Sequence, residues 1–293
     1  PDLRASPGAL AIARDVVRVA GPEAVAYLQG QVSQDVEHLA TGATAWSFVL
    51  QPTGKVAAWV RLTRTADDEV VVDVDGGHGD AVLARLRRFL LRTKADVDRL
   101  AWRAVAVRGP GAVALADAAG DPGAELAVPA AWPGVEGVDL LGPDPRLPAG
   151  VPVVGAAAYE SLRIRAGVPA MDSELTEATI PAEAGQGVID RSVSFTKGCF
   201  TGQELVARID SRGGNVPRHL RGLVVRGDPP APGAVVSVDG AEVGQVTSAA
   251  PHPEAGSVAL AYIRRAVSPP ADATVAVRTG TAPATVVDLP FAR

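Results

Sequence analysis

The sequence predicts an α+β chain of two or three subdomains that ends in a small antiparallel β-barrel. Three observations carry this. The 293 residues exceed what one small core holds. The first half mixes runs of strand texture with segments of helical period. After Arg221 the texture changes to short β-like runs, set apart by turn residues at ~8–12-residue spacing.

The elements follow in order. Gly21-Pro22 opens a short helix, with Pro at its favoured first position and Ala24, Tyr27 and Leu28 as the apolar stripe. Ser33 is placed to cap a second short helix carrying Val36 and Leu39. Residues 45–50, 56–63 and 69–74, rich in Val and Trp, read as strands, with Pro52-Thr53-Gly54 as a hairpin turn. Residues 81–92 place Val82, Leu86, Phe89 and Leu90 at helical spacing. A second unit starts near Trp102, with a strand over 103–107 and a helix over 111–119. Residues 120–150, rich in Pro, Gly and Asp, are expected to hold short strands and loops. A helix over 156–165 is ended by Gly167 and Pro169. Residues 170–194 show few periodic apolar positions and read as irregular. The barrel runs are 223–225, 234–238, 242–248, 257–263, 274–277 and 285–289.

Composition bounds the function. With 47% apolar and 21% charged residues the chain can bury a true interior, and at 4% aromatics that interior is built from Val, Ala and Leu. No apolar run approaches the ~18 residues of a membrane span. The N-terminus lacks the charged–apolar–small pattern of a secretory signal, so a cytoplasmic protein is expected. The single cysteine, Cys199, makes no internal disulfide and cannot supply the Cys-rich ligands of a usual iron–sulfur site. The histidines, at 38, 78, 219 and 252, are not closely spaced, so no dedicated metal site is expected. The net charge of −5 argues against general nucleic-acid coating. Yet Arg191, Lys197, Arg208, Arg212, Arg218, Arg221 and Arg226 face only Glu204 and Asp210 over residues 191–226. A cationic stretch in an acidic chain points to an anionic ligand at one place.

Lys55, Lys94 and Lys197 are the only lysines, and Gly54-Lys55 and Lys197-Gly198 each keep one beside a glycine. A GC-rich genome explains the scarcity. The pairing hints that these two positions need a compact ammonium rather than a guanidinium fork.

The chemistry concentrates in Phe195-Thr196-Lys197-Gly198-Cys199-Phe200-Thr201-Gly202-Gln203-Glu204 and the residues up to Arg208. Glycines on both sides of Cys199 allow close backbone approach. Lys197, two residues away, is expected to favour the thiolate, the reactive and metal-binding form. Gln203 and Glu204 offer an amide and a carboxylate within one or two turns of the thiol. Arg208, Arg212, Arg218 and Arg221 follow, suited to phosphate or carboxylate. A lone cysteine is usually a small buried hydrophobe, but inert filler does not need Gly, Lys, Gln and Glu around it. For the arginines a solvated face is the default reading, with an anion site as the alternative.

Lys197 to Glu204 resembles the K-G-C-[FY]-x-G-Q-E motif of the YgfZ-type family, relatives of the glycine-cleavage T-protein. Tyr27 to Val36 (Tyr-Leu-Gln-Gly-Gln-Val-Ser-Gln-Asp-Val) is similar to that family's opening helix, and Leu50 to Lys55 resembles its first hairpin. Leu162 to Pro169 and Ile180 to Ala184 resemble the segment leading to the cysteine. Val243 to Ser248 and Ala259 to Ile263 resemble its barrel. The resemblance thus covers roughly the whole chain.

That resemblance implies a cloverleaf of three subdomains around a central channel that binds tetrahydrofolate. The implied boundaries are 1–100, completed by about 165–220, then 101–164, then 165–220 with the cysteine motif, and 221–293 for the barrel. It also implies support of iron–sulfur enzymes, including radical enzymes that modify tRNA, through Cys199, with Lys197 beside it. A mitochondrial relative works in four-iron cluster assembly. Folate contacts are expected from Tyr159 against the ring, from Arg165, Gln203 and Glu204, and from Arg208 and Arg218 toward the glutamate tail. Cys199 is expected to face the channel and meet a one-carbon adduct, an oxidised sulfur or an iron–sulfur protein.

Two departures matter. The T-protein hairpin is followed by adjacent aspartates, one essential for aminomethyl transfer, whereas here Ala57-Ala58 follows, which disfavours that reaction. Relatives often carry Glu where Arg165 stands, and a guanidinium has no acceptor for the pterin. Glu160 and Glu183 are the candidates to compensate. Three readings stand: a folate-linked accessory factor for iron–sulfur proteins or their assembly machinery, a folate-dependent one-carbon transferase or demethylase, and direct tRNA binding through residues 191–226. Strong RNA binders usually interleave aromatics with their basic residues, and only Phe195 and Phe200 are available. Partners on the first reading are folate and iron–sulfur proteins, with tRNA indirect and no membrane.

Overall fold

The computed structural model describes residues 2–118, 123–252, 256–278 and 280–291. The expected helix end at Ala119 and residues 120–122 of the loop-rich stretch lie outside them. The described residues build two open sheets and a closed barrel.

The first part of the chain runs β1 (Gly8–Ile12), β2 (Arg14–Ala20), α1 (Ala24–Gln31), β3 (Thr44–Leu50), β4 (Val56–Ala66), β5 (Glu69–Asp75), α2 (Gly79–Arg88) and β6 (Asp96–Leu100). Next come β7 (Arg103–Arg108), α3 (Ala112–Ala118), β8 (Leu126–Pro129), β9 (Gly137–Gly142) and α4 (Ala156–Arg165). A 3-10 turn (Pro181–Ala184), α5 (Gln186–Ser192) and α6 (Gln203–Asp210) lead to the last six strands. These are β10 (Arg218–Val225), β11 (Val235–Val238), β12 (Ala241–His252), β13 (Gly256–Arg264), β14 (Ala271–Val277) and β15 (Gly280–Val287).

Strands β3-β4-β5-β2-β6 form one antiparallel sheet and β1-β7-β9-β8 a second. Strand β1 therefore leaves its own half of the chain to pair with β7, a pairing that the sequence boundaries do not anticipate. The last six strands close into a barrel in the order β10-β13-β12-β11-β14-β15, as the spaced β-runs after Arg221 predict. Its interior is Val, Ala, Leu and Ile, as the low aromatic content requires.

Between the first two sheets lies a buried network of charge. The β4–β5 register sets Arg61 directly opposite Asp73. Arg61 reaches on to Asp139 of β9 at 2.7 Å, and Arg108 of β7 reaches the same carboxylate at 2.7 Å. Arg14 pairs with Asp73 and with Asp75. Trp46 stacks on Trp59 with ring centroids 4.0 Å apart and lies under Arg14 and Arg61. The second sheet makes room at Gly137, where a Cβ would meet the Arg108 side chain at 2.7 Å. A second buried joint ties α4 to the barrel. Glu174 accepts from Arg163, from the Thr247 and Ser248 hydroxyls at 2.6 Å each, and from the Ala170 amide. The Tyr262 hydroxyl donates to the Glu174 carbonyl.

Two local expectations change. No helix follows Ser33. Its side chain instead accepts from the Phe48 amide and donates to the Ser192 carbonyl at 2.6 Å, so it serves as a cross-link between distant segments. Residues 170–194 are not wholly irregular, because the 3-10 turn and α5 form there. At seven residues, α5 is too short to display a helical period in sequence.

Candidate functional site

The cysteine loop is built from three separate stretches of chain. Helix α1 ends at Gln31 with its last carbonyls unpaired by any later helical amide. The Lys197 ammonium enters there and donates to the carbonyls of Gln29 (2.6 Å), Val32 (2.8 Å) and Gln34 (2.9 Å). A cation at a helix C-terminus also meets the negative end of the macrodipole. The Thr201 amide takes the Gly30 carbonyl at 3.2 Å, and the Phe200 ring lies 5.2 Å below the ammonium. Burial pulls the Lys197 amine down to about 8, opposed by Asp35 and Glu37, so the ammonium is the main form at neutral pH.

The loop also rests on the first hairpin. Gly202 has φ +82, and a Cβ there would meet the Gln51 carbonyl oxygen at 2.5 Å. Gly54 has φ +81 and faces Leu205 and the Gly202 carbonyl in the same way. Neither backbone can retreat, so both glycines are required by φ and by close approach. Gly202→Ala is expected to lower the unfolding free energy by about 2 kcal/mol, from left-handed strain plus the clash, read by chemical denaturation. The segments 27–36, 50–55 and 197–204, far apart in sequence, thus meet in one joint.

Cys199 sits at the free tip of this joint. It is exposed, Gly198 has open space where a Cβ would be, and Phe195 beside them is exposed too. The structure gives Lys197 a structural role in the loop. All three ammonium protons point at main-chain carbonyls, so Lys197 anchors the loop that carries the cysteine. Gln203 accepts from the Phe200 amide at 3.2 Å and closes the turn into α6, while Glu204 and Arg208 are exposed on that helix.

The remaining expected residues lie elsewhere. Tyr159 packs at a tilt on Trp132, 5.1 Å between centroids, beside the Arg108 end of the buried network, and burial raises its hydroxyl. Arg165 is buried and pairs with Asp2, with His252 at 3.2 Å. The hydrogen bond from Arg165 holds the Asp2 carboxyl below the usual carboxylate range, against the effect of burial. Glu160 pairs with Arg163 and Glu183 with Arg218, so neither compensating carboxylate is free of a cation. Arg218 also lies 4.2 Å above the Tyr262 ring. The cationic stretch does not form one face: Lys197, Arg218 and Arg221 are committed to the α1 carbonyls, to Glu183 and to Asp288 respectively.

A cavity of about 210 Å³ opens where the second sheet, the α4–α5 segment and the barrel meet. Pro133, Gly167, Val188, Arg191, Leu220, Arg221 and Leu289 are among its walls, and Cys199 is not. Cys199, expected to face a channel, is exposed at the tip of its loop. The sulfur is held on the outside because the loop is anchored to α1 and the first hairpin. The cavity is smaller than the roughly 300–1,000 Å³ of a pocket for a whole drug-sized ligand. Arg191 is among the walls, and its Nη1 is buried without a hydrogen-bond partner among the described residues.

Comparisons with known proteins agree with this architecture. The family model described as the glycine cleavage T-protein C-terminal barrel domain matches residues 218–292. An aminomethyltransferase of Streptomyces avermitilis is 30% identical over 315 residues, covering 94% of this chain and 84% of its own. A mitochondrial iron-sulfur cluster assembly factor homolog of Chaetomium globosum is 27% identical over 265 residues, covering 79% of this chain and 59% of its own. The glycine cleavage system aminomethyltransferase T from Bartonella henselae superposes with a TM-score of 0.81 at 25% identity, over 99% of this chain and 87% of that one.

Proposed function

The chain belongs to the glycine-cleavage T-protein (aminomethyltransferase) family, and from that premise we propose a folate-binding accessory factor of the YgfZ type. It supports iron–sulfur cluster assembly through Cys199 in the cytoplasm. The observation that carries this reading is an exposed thiol on a rigidly anchored loop, offered to a partner rather than enclosed with a substrate. Similarity to a protein named as an iron-sulfur cluster assembly factor supports it. One thiol supplies one ligand, so a cluster meets Cys199 as cargo shared with a partner or with a second copy. Iron–sulfur enzymes that modify tRNA are candidate clients, which makes any tRNA link indirect. Among the described residues no helix is long and apolar enough to cross a membrane.

The aminomethyltransferase relatives favour a second reading, folate-dependent one-carbon transfer. Ala57 and Ala58 weigh against its aminomethyl form, since Ala58 is buried in β4 and neither methyl can polarise or deprotonate a folate amine.

The test uses cells lacking their own copy of the gene. Wild type is expected to restore the activity of a four-iron enzyme, and Cys199→Ser, with an unchanged melting temperature, to restore less than about a tenth of it. Full restoration by the serine variant would falsify the proposal.

A further inference from the structure

We infer that the C-terminal end of α2 and the turn beyond it form a docking surface for an acidic protein, the partner that meets Cys199; the identity of that partner rests on the function proposed above. Residues 85–94 hold five cations, Arg85, Arg87, Arg88, Arg92 and Lys94, and no Asp or Glu. A helix C-terminus favours cations, which accounts for the three in the last turn of α2 but not for Arg92 and Lys94 beyond it. Arg92 takes φ +60, a backbone that glycine adopts more readily, so the guanidinium is kept there at a conformational cost. Arg87 and Arg18 share the exposed Asp98, whereas Arg88, Arg92 and Lys94 have no ion pair among the described residues. Amid these cations Phe89 is 42% exposed and Leu91 85%, the latter the most exposed large apolar side chain among the described residues. Single exposed apolar residues are ordinary, but two in one turn of chain, ringed by unpaired cations, make a patch.

The patch and the cysteine loop share one support. Gln31, the last residue of α1, accepts from Arg85 at 3.0 Å, and the Gly30 carbonyl just before it accepts from the Thr201 amide at 3.2 Å. The Tyr27 hydroxyl ties the same helix to the Leu86 carbonyl. Gly30 itself has open space where a Cβ would be. A partner seated on the end of α2 therefore borders the loop that carries the exposed Cys199 and Phe195. The chemistry selects a protein. A nucleic acid would stack its bases on an open aromatic face, but Arg85 and Arg88 crowd the Phe89 ring at 4.1 and 5.8 Å, and Leu91 has no such face. A membrane gains little from two apolar side chains, and anionic lipid repels a chain of net charge −5. An apolar contact set among carboxylates on a protein surface complements both the side chains and the charge.

Fluorescence anisotropy with the full chain at low salt tests this. The probe is a labelled helical peptide with leucines along one face and glutamates beside them. It is expected to bind wild type with a Kd below ~1 mM, and a probe with serine for leucine to bind at least ~5-fold more weakly. Leu91→Ser is expected to weaken binding at least ~5-fold, and Arg88→Glu with Arg92→Glu at least ~10-fold. These side chains are exposed, so the variants are expected to melt as wild type does; if one does not fold, the other carries the comparison. Val153→Ser, 69% exposed on another part of the surface, is expected to change nothing. The assignment is overturned by no binding at millimolar probe, by equal binding of the patch variants, or by an equal loss in Val153→Ser. Tighter binding of phosphatidylglycerol-containing vesicles or of an RNA hairpin, with the same dependence on Leu91, also overturns it. In the cells described above, Leu91→Ser with Arg92→Glu is expected to restore less than about a third of the four-iron enzyme's activity, and full restoration counts against the surface. Cys199→Ser is expected to bind the probe as wild type does. Loss of probe binding with Cys199→Ser still inactive removes the surface alone, whereas an active Cys199→Ser with patch-dependent binding removes the cysteine reading alone.

Discussion

Asp139→Asn is expected to lower the free energy of unfolding by about 3–5 kcal/mol, because it strips the counter-charge from a buried arginine. Asp139 accepts from Arg61 and forms an ion pair with Arg108, and all three side chains are almost wholly buried. Arg61 keeps Asp73 in the variant. Arg108 keeps only the Val107 and Val138 carbonyls and the Trp132 and Tyr159 rings, with no anion. Burial alone would raise the Asp139 carboxyl, yet Arg108, then Arg61 and Arg14, hold it below the usual carboxylate range. A depressed carboxyl gives stability that is present above the unfolded value of about 3.9 and is lost as pH falls through the lower folded value. The gap between wild type and Asp139→Asn should therefore stay constant above about pH 5 and shrink in acid. Urea titrations at pH 7 and pH 3 measure both. A loss under about 1 kcal/mol at pH 7 would mean that water reaches Arg108 and that the network is not dry.

Lys197→Met is expected to cost about 3 kcal/mol while leaving the sulfur's reactivity almost unchanged. The ammonium satisfies three carbonyls at and just beyond the end of α1, and a thioether satisfies none of them. The substitution keeps the length and the apolar stem, so it isolates the hydrogen bonds. Arginine is no rescue, because a planar fork cannot reproduce three converging bonds from one nitrogen. The discriminating measurement is thiol labelling of the folded protein at pH 7. Labelling of Cys199 within about twofold of wild type is expected if Lys197 only positions the loop. A tenfold fall would restore Lys197 as an electrostatic partner of the sulfur.

Function in cells would then separate two losses. Cys199→Ser removes the reacting atom and keeps the joint, whereas Lys197→Met keeps the atom and loosens the joint. Supplying Lys197→Met at reduced temperature, where the folded fraction recovers, should bring activity back. The same treatment should not help Cys199→Ser.

The barrel and the first hairpin were legible because their signals are local. Residues 257–263 and 274–277 are short β-like runs set apart by turn residues, and Pro52-Thr53-Gly54 needs only its own backbone to turn. The last turn of α4 was legible because Gly167 takes φ +66 just beyond it. Ser33 shows where local reasoning stops. A serine before an apolar pair reads as a helix cap, but its hydroxyl found Phe48 and Ser192 instead. Strand β1 was missed for a related reason: its partner β7 lies about ninety residues away and leaves no mark within the strand itself.

By itself, the sequence determined the antiparallel barrel and the mixed α+β character, and it singled out one cysteine between glycines near a lysine. Each is written in neighbouring residues, where period, turn chemistry and motif act over a few bonds. Only the tertiary structure decided that the barrel closes, that Lys197 bonds to main-chain carbonyls of α1 and the residues after it, and that Cys199 stands exposed at the tip of its loop. The physical reason is that a charge takes its role from the partners and the solvent that folding leaves around it. Those partners come from stretches of chain that sequence spacing does not bring together.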